Sequence, residues 1–236
     1  MPLIFRPKHN YLARLSLVVG GLGALGAVSA ILIYVRTPLA RGMQDPVEQP
    51  IQFDHRHHTR DEGIDCRFCH QTVETSPFAG IPSTQLCMNC HSQIWNGSPM
   101  LEKVRQSFIE DKPIVWTKVN DVPDFVFFNH AIHVNKGVGC VSCHGRVDTM
   151  AAVGKAKTLT MAFCLECHRN PGPSLRPVEE VTNMEWKAPV ASAHGESHGE
   201  SLGESHHAAL DPQAFAKKMV KDNDVHTRTS CTTCHR

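Results

Sequence analysis

The chain has 236 residues, room for one compact domain or two small ones, which excludes a large multi-domain enzyme. Lys and Arg total 24 against 23 Asp and Glu, and a formal charge of +1 gives no basic footprint for a phosphate backbone, so nucleic acid is not an expected partner. Hydrophobic residues make up 41% and aromatic residues 6%, with much of the apolar total in one N-terminal run; the ten Cys and sixteen His of the remainder point to metals or cofactors in place of an ordinary core.

Residues 15–35 form an uncharged run that as a helix spans about 30 Å, the thickness of a bilayer core. We read residues 1–36 as a cytoplasmic tip and transmembrane anchor, and 37–236 as the outer domain. Arg6, Lys8 and Arg14 precede the run while Arg36 and Arg41 follow it, so the charge count favours an inner N-terminus only weakly. A cleaved signal peptide is the rival, since Val28-Ser29-Ala30 offers small residues at a cleavage position, but the apolar run continues through Ile31-Leu32-Ile33-Tyr34-Val35 beyond it. Gly20, Gly23, Gly26, Ala24, Ala27 and Ala30 lie at small-x-x-x-small spacing, which suits a membrane partner helix and equally reflects the general frequency of Gly and Ala in such helices.

Next come Phe53-Asp-His55-Arg-His57-His58 and, after Gly63 and two further residues, Cys66-Arg-Phe-Cys69-His70, then Cys87-Met-Asn-Cys90-His91. The pattern recurs as Phe128-Asn-His130-Ala-Ile132-His133, Gly137, Cys140-Val-Ser-Cys143-His144 and Cys164-Leu-Glu-Cys167-His168, so the outer domain is an internal duplication with modules at 50–100 and 122–175. Cys231-Thr-Thr-Cys234-His235 stands alone in a last segment, 213–236. All ten cysteines fall in these motifs. C-x-x-C-H is the attachment signature of c-type haem, whose two vinyl groups take the thiols while the adjacent His ligates the iron. Zinc also uses C-x-x-C pairs, but it does not require the following His. Chance would place a His there about 7% of the time, which makes five in five a haem signature rather than a zinc one. Five covalent haems are therefore expected, with Cys66, Cys69, Cys87, Cys90, Cys140, Cys143, Cys164, Cys167, Cys231 and Cys234 as attachment sites and His70, His91, His144, His168 and His235 as proximal iron ligands. Attachment of c-type haem takes place outside the cytoplasmic membrane, so the haem domain is expected in the periplasm of a bacterium, on a single-pass inner-membrane anchor.

Each iron needs a second ligand, and imidazole supplies it. His55, His58, His130 and His133 serve four haems, making at least those four bis-His. His57 aligns with Ile132 in the second copy and is left spare. His226, five residues before Cys231, is placed to serve the fifth haem, with Met219, Met184, Met161 and Met150 as rivals. Recurrent Pro and Gly predict mostly loops and short helices around the haems. Helices fit residues 100–110 and 212–221, the latter with Asp211 as N-cap ahead of Pro212. Phe53, Ile64, Phe68, Phe128 and Phe163 are expected to pack against porphyrin faces. A low-complexity insertion at 189–212 repeats Gly-Glu-Ser with interspersed His194, His198, His206 and His207; it reads as a solvated linker, with metal binding the lesser alternative.

The segments 79–91, 122–140, 143–148 and 159–171, together with the anchor, resemble the membrane-anchored pentahaem cytochrome c subunit of bacterial alternative complex III, a quinol-oxidising respiratory assembly. The Gly-Glu-Ser insertion lies outside that pattern, and the fifth haem matches by motif alone. Each half also looks like the small cytochromes of the c7 type, whose first F-x-H-x-x-H histidine ligates the nearest haem and whose second ligates a neighbour; by that analogy His55 and His130 serve the haems at Cys66 and Cys140. The resemblance implies a fold of c7-like duplicated two-haem modules. It also implies, as partners, an iron–sulfur and molybdopterin-like subunit, polytopic quinol-binding subunits and a monohaem cytochrome c, soluble carrier or oxidase as acceptor.

With two protein ligands on every iron no substrate position is open, and one-electron transfer is the chemistry left. The chain is then an electron wire rather than an enzyme on its own. A self-contained quinol dehydrogenase feeding a periplasmic reductase is the alternative; a multihaem reductase would need an iron with a vacant face, and all five motifs end in His.

Overall fold

A computed structural model describes residues 6–43, 45–188 and 211–235. It divides into two units, Met1–Met43 and Gln44–Arg236, so the division lies a few residues beyond the anticipated boundary at 36.

The first unit is dominated by helix α1, Pro7–Tyr34. Proline in its first turn needs no amide partner there, and at the other end Arg36 Nη1 donates to the Leu32 carbonyl at 2.9 Å and Thr37 Oγ1 to that of Tyr34 at 2.7 Å, which satisfies two carbonyls of the last turn. The helix begins earlier than the uncharged run because Lys8 and Arg14 continue its register. Its stretch Lys8–Tyr34 is long and apolar enough to cross a membrane, and Leu17, Leu22, Leu25 and Ile33 on different sides are all exposed. A helix apolar all round suits lipid rather than a water-facing surface.

The second unit has no β-strand among the described residues. Two antiparallel bridges, Pro46 with Gly154 and Val138 with Leu175, tie its loops. The helices are short: α2 Cys66–Cys69, α3 Thr84–His91, α4 Glu102–Glu110, α5 His130–Asn135, α6 Cys140–His144, α7 Met161–Arg169, α8 Pro212–Asp222 and α9 Cys231–Cys234. The helix expected at 100–110 forms as a 3-10 turn, Pro99–Leu101, running into α4, with Ser98 Oγ accepting from the Met100 amide at 3.3 Å. The helix expected at 212–221 forms as α8, with Asp211 Oδ2 accepting from the Ala214 amide at 3.2 Å. Phe215 and Met219, four apart on α8, bury against Leu175, with Trp186, Val220 and Val225 around them. The greater part of the insertion, 189–210 with its four histidines, lies outside the described residues.

The two repeats meet along a hydrogen-bonded seam. The amide of His130 and that of Ala131, which begin α5, donate to the carbonyls of Pro77 and Ser76 at 3.1 and 3.2 Å, and Asn135 Nδ2 donates to that of Glu74 at 2.9 Å. The glycine that precedes each first attachment motif has a positive φ, +66° at Gly63 and +78° at Gly137. Only glycine takes that turn without strain.

Candidate haem-binding sites

Each of the five attachment motifs lies on a helix or in its last turn: α2, α3, α6, α7 and α9 carry them in chain order. Helical spacing brings the first Cys, the second at i+3 and the His at i+4 to one face, which is what bonding two thiols to one porphyrin edge and turning an imidazole over its plane requires. No disulfide joins any of the ten cysteines.

The histidines are held by their Nδ1 atoms. Seven of them donate, in the Nδ1–H tautomer, to a backbone carbonyl: His58 to Asp54, His70 to Gly80, His91 to Ile94, His130 to Pro77, His133 to Asn129, His168 to Arg228 and His235 to Phe125, at 2.7 to 3.1 Å. That leaves Nε2 with a free lone pair aimed away from the backbone, the arrangement that orients a metal-bound imidazole. His144 has a side chain instead, the Asn120 amide 3.1 Å from its Nδ1. Asn120 Oδ1 is buried without another partner, so the orientation that satisfies both groups turns Oδ1 to accept from His144 Nδ1–H. His55 Nδ1 is buried without a partner.

The rings then pair. His58 and His91 lie 6.2 Å apart between centroids, His133 and His168 6.0 Å, and His130 and His144 6.4 Å. One iron bonded to two imidazole nitrogens at about 2 Å each, with about 1 Å from each nitrogen to its ring centre, separates the centroids by about 6 Å. These pairs thus fit a bis-His haem iron. The repeats hold their rings alike: Phe53 stands edge-on to His55 and stacks on His58 at 4.8 and 4.4 Å, and Phe128 does the same to His130 and His133 at 4.7 and 4.5 Å. Burial, and next the neighbouring His70, holds the His55 imidazole down to about 4; burial, and next His130, does the same for His144. Burial lowers His133 as well. Neutral imidazole is the form that ligates a metal.

Thiols of different motifs lie near enough to act on one another. Burial raises each of those concerned, and the next cause is the adjoining motif: Cys87 and Cys90 act on Cys69, Cys140 on Cys66, Cys167 and Cys164 on Cys143, and Cys234 on Cys164. Motif 87–91 thus adjoins 66–70, 66–70 adjoins 140–144, 140–144 adjoins 164–168, and 164–168 adjoins 231–235.

The apolar surroundings fit porphyrin as well. Among the described residues the buried hydrophobic side chains are only Ile51, Val104, Val134, Leu175, Val181, Phe215 and Met219, while Phe68, Phe78, Phe125, Phe127 and Phe128 beside the motifs present exposed ring surface. A domain of this length with so small a core of its own suits one whose interior is completed by large apolar groups.

The fifth site is built differently. His235 Nδ1 and the Cys234 carbonyl are both held by the segment 125–127, the latter accepting from the Phe127 amide at 2.8 Å, and the Phe125 and His235 rings are 5.7 Å apart. His226 is exposed, with its Nε2 3.1 Å from Asp224 Oδ1, and among the described residues no ring pair joins it to His235. Of the rival methionines, Met219 lies in the α8 core and Met161 is exposed at the start of α7. His57, the spare histidine, stacks on Trp95 at 5.8 Å. Sequence reasoning did not find Asn120 or the carbonyl acceptors: the first lies in a loop 24 residues from its histidine, and the others are backbone groups that any residue carries.

Residues 126–185 match the family described as cytochrome c7 and related cytochrome c. A segment of 98 residues is 39% identical to the menaquinone reductase, multihaem cytochrome c subunit, of Nitratidesulfovibrio vulgaris strain Hildenborough; it covers 41% of this chain and 46% of that relative. The chain thus spans about half the length of the curated relative it matches. Motifs, ring geometry and the match over residues 126–185 together describe a c7-like multihaem fold of short helices and loops.

Proposed function

We propose that the chain carries five covalent c-type haems and works as a membrane-anchored electron wire. The observation that carries this reading is the set of three histidine pairs with ring centres 6.0 to 6.4 Å apart, each joining an F-x-H-x-x-H histidine to a C-x-x-C-H histidine. In this reading His58 and His91 hold one iron, His133 and His168 a second, His130 and His144 a third and His55 and His70 a fourth, while His235 holds the fifth opposite His226. The haem irons supply one-electron exchange when bound. The chain's own residues fix the imidazoles through Nδ1, exclude water with phenylalanine rings and space the sites in the order of adjoining motifs, 87–91, 66–70, 140–144, 164–168, 231–235.

Helix α1 anchors the domain with its N-terminus in the cytoplasm and the haems in the periplasm. The resemblance to the pentahaem subunit of alternative complex III supports a place in a quinol-oxidising assembly, with iron–sulfur, polytopic and monohaem cytochrome partners. A second reading is favoured by the relative's name: as part of a menaquinone reductase, the wire would run toward the quinone pool. The two differ in direction, not in the wire. Intact mass spectrometry of the denatured full chain, matured in a host that attaches c-type haem, is expected to show the added mass of five haems; the bare polypeptide mass, with zinc recovered in its place, would sink the reading. Purified in mild detergent from its own membranes, the haem-stained band should be far heavier than one chain, and reduction of its haems by a menaquinol analogue against oxidation by menaquinone separates the two directions.

A further inference from the structure

Arg176 is 5% exposed, and only it and Asp148 are buried among the polar and charged residues described. Asp148 is paired with Arg146 at 2.7 Å. Among the described residues no carboxylate contacts Arg176: Nη1 donates to the Asn183 carbonyl at 3.0 Å, the guanidinium lies 4.9 Å from the Trp186 ring centroid, and Nε is buried without a partner. Glu180, the carboxylate that acts on it from a distance, accepts from Asn183 Nδ2 at 2.8 Å. Keeping an incompletely bonded cation out of water is costly, so the site invites a reason for it.

The position supplies one. A Cβ on Gly139 would stand 2.1 to 2.4 Å from guanidinium atoms of Arg176, so the cation lies flat against the backbone one residue before Cys140. Three backbone hydrogen bonds strap the two segments together: Arg176 N to Gly137 O at 2.9 Å and Gly139 N to Ser174 O at 3.4 Å, which form the bridge of Val138 with Leu175, and Cys140 N to Val181 O at 3.0 Å. At the first repeat's leading attachment motif the nearby arginine is neutralised instead. Arg67, beside Cys66, donates to Asp65 at 2.9 Å and to Glu74 at 3.2 Å. Asp65 and Arg67, which also face Cys140, offset each other, leaving Arg176 as the uncompensated charge there.

We propose that Arg176 is a potential-setting residue: its buried cation raises the reduction potential of the haem attached at Cys140 and Cys143 above that of the haem at Cys66 and Cys69. The inference rests on the haem assignment above. A ferric haem core bears one positive charge more than a ferrous one, so a cation held close in a low-dielectric site favours the reduced form. Of the two adjoining sites at 66–70 and 140–144, the second-repeat haem then holds the electron, and each transfer from its neighbour is one electron with no change of ligand. Gly139 is required because any side chain there displaces the guanidinium.

The test is a potentiometric titration of the full-length haem-loaded chain followed at the reduced α-band. In Arg176→Gln about one fifth of the absorbance change should move to lower potential with the other four fifths in place, and Arg176→Lys should hold most of the original value. The C140A/C143A chain, which lacks that haem, assigns the moving component. An unchanged titration in Arg176→Gln, a shift spread over all the haems, or an equal shift in Arg176→Lys would overturn the proposal. Where Arg176→Gln fails to accumulate, Gly139→Ala must show the same downward shift, and an unshifted titration there overturns it too. A wild-type chain without covalent haem would instead remove the haem assignment itself, and the mass measurement detects that first.

Discussion

The two F-x-H-x-x-H repeats carry the same ring geometry in different surroundings. In each, a phenylalanine stands edge-on to the first histidine and stacked on the second, and the second faces the histidine of that repeat's second attachment motif at 6.2 or 6.0 Å. Around the first repeat, His55 and His58 sit at a single wide turn, Arg56–Asp61, and Gly63 has open space about it. Around the second, α5 is capped by Asn129 Oδ1 at 3.3 Å, and Gly137 is pressed against the Arg176 carbonyl and Asn223 Nδ2, each 2.4 Å from where a Cβ would stand. The segment 172–188 and α8 brace the second repeat with the Leu175, Phe215 and Met219 core. Ligand geometry is thus a property of the repeated stretch, whereas rigidity and electrostatics come from what packs on it.

The largest expected effect ignores the difference. His58→Ala and His133→Ala should each leave all five haems attached and convert one from low to high spin in electron paramagnetic resonance; a change in only one of the two variants would break the equivalence of the repeats. Phe215→Ala should separate them. Removing that ring from the α8 core costs about 3 kcal/mol, and the loss should show as faster proteolysis within 122–188 while 50–100 resists as before. The glycines sharpen the comparison further. Gly63→Ala pays only for a left-handed turn, about 1 kcal/mol, whereas Gly137→Ala adds a collision with backbone and should cost about 3 kcal/mol in all, readable as a larger drop in thermal midpoint. The smallest effect is at Asn120. Asn120→Val removes the acceptor on His144 Nδ1, which makes that imidazole a poorer electron donor, so one haem should titrate at a slightly higher potential, with about 1 kcal/mol of stability lost to the unpaired buried N–H.

The duplication and the candidate ligand positions were legible because cysteine and histidine are uncommon side chains at fixed helical spacing, and α8 was legible because Asp211-Pro212 marks a helix start in the sequence. Which motif adjoins which was not, since the nearness of Cys69 to Cys87 and Cys90 and of Cys66 to Cys140 is set by long-range folding. Arg176 gave no signal either: it reads as one arginine among many until Gly139 is seen to make room for it. His226 rests on nearness in sequence alone; in the structure its Nε2 lies 3.1 Å from Asp224 Oδ1.

The most direct measurement is quantitative electron paramagnetic resonance of the oxidised, haem-loaded full chain. Four histidine pairs predict at least four low-spin ferric haems per chain, with the fifth reporting whether His226 reaches its iron. A spectrum dominated by high-spin iron would contradict the paired-histidine wire.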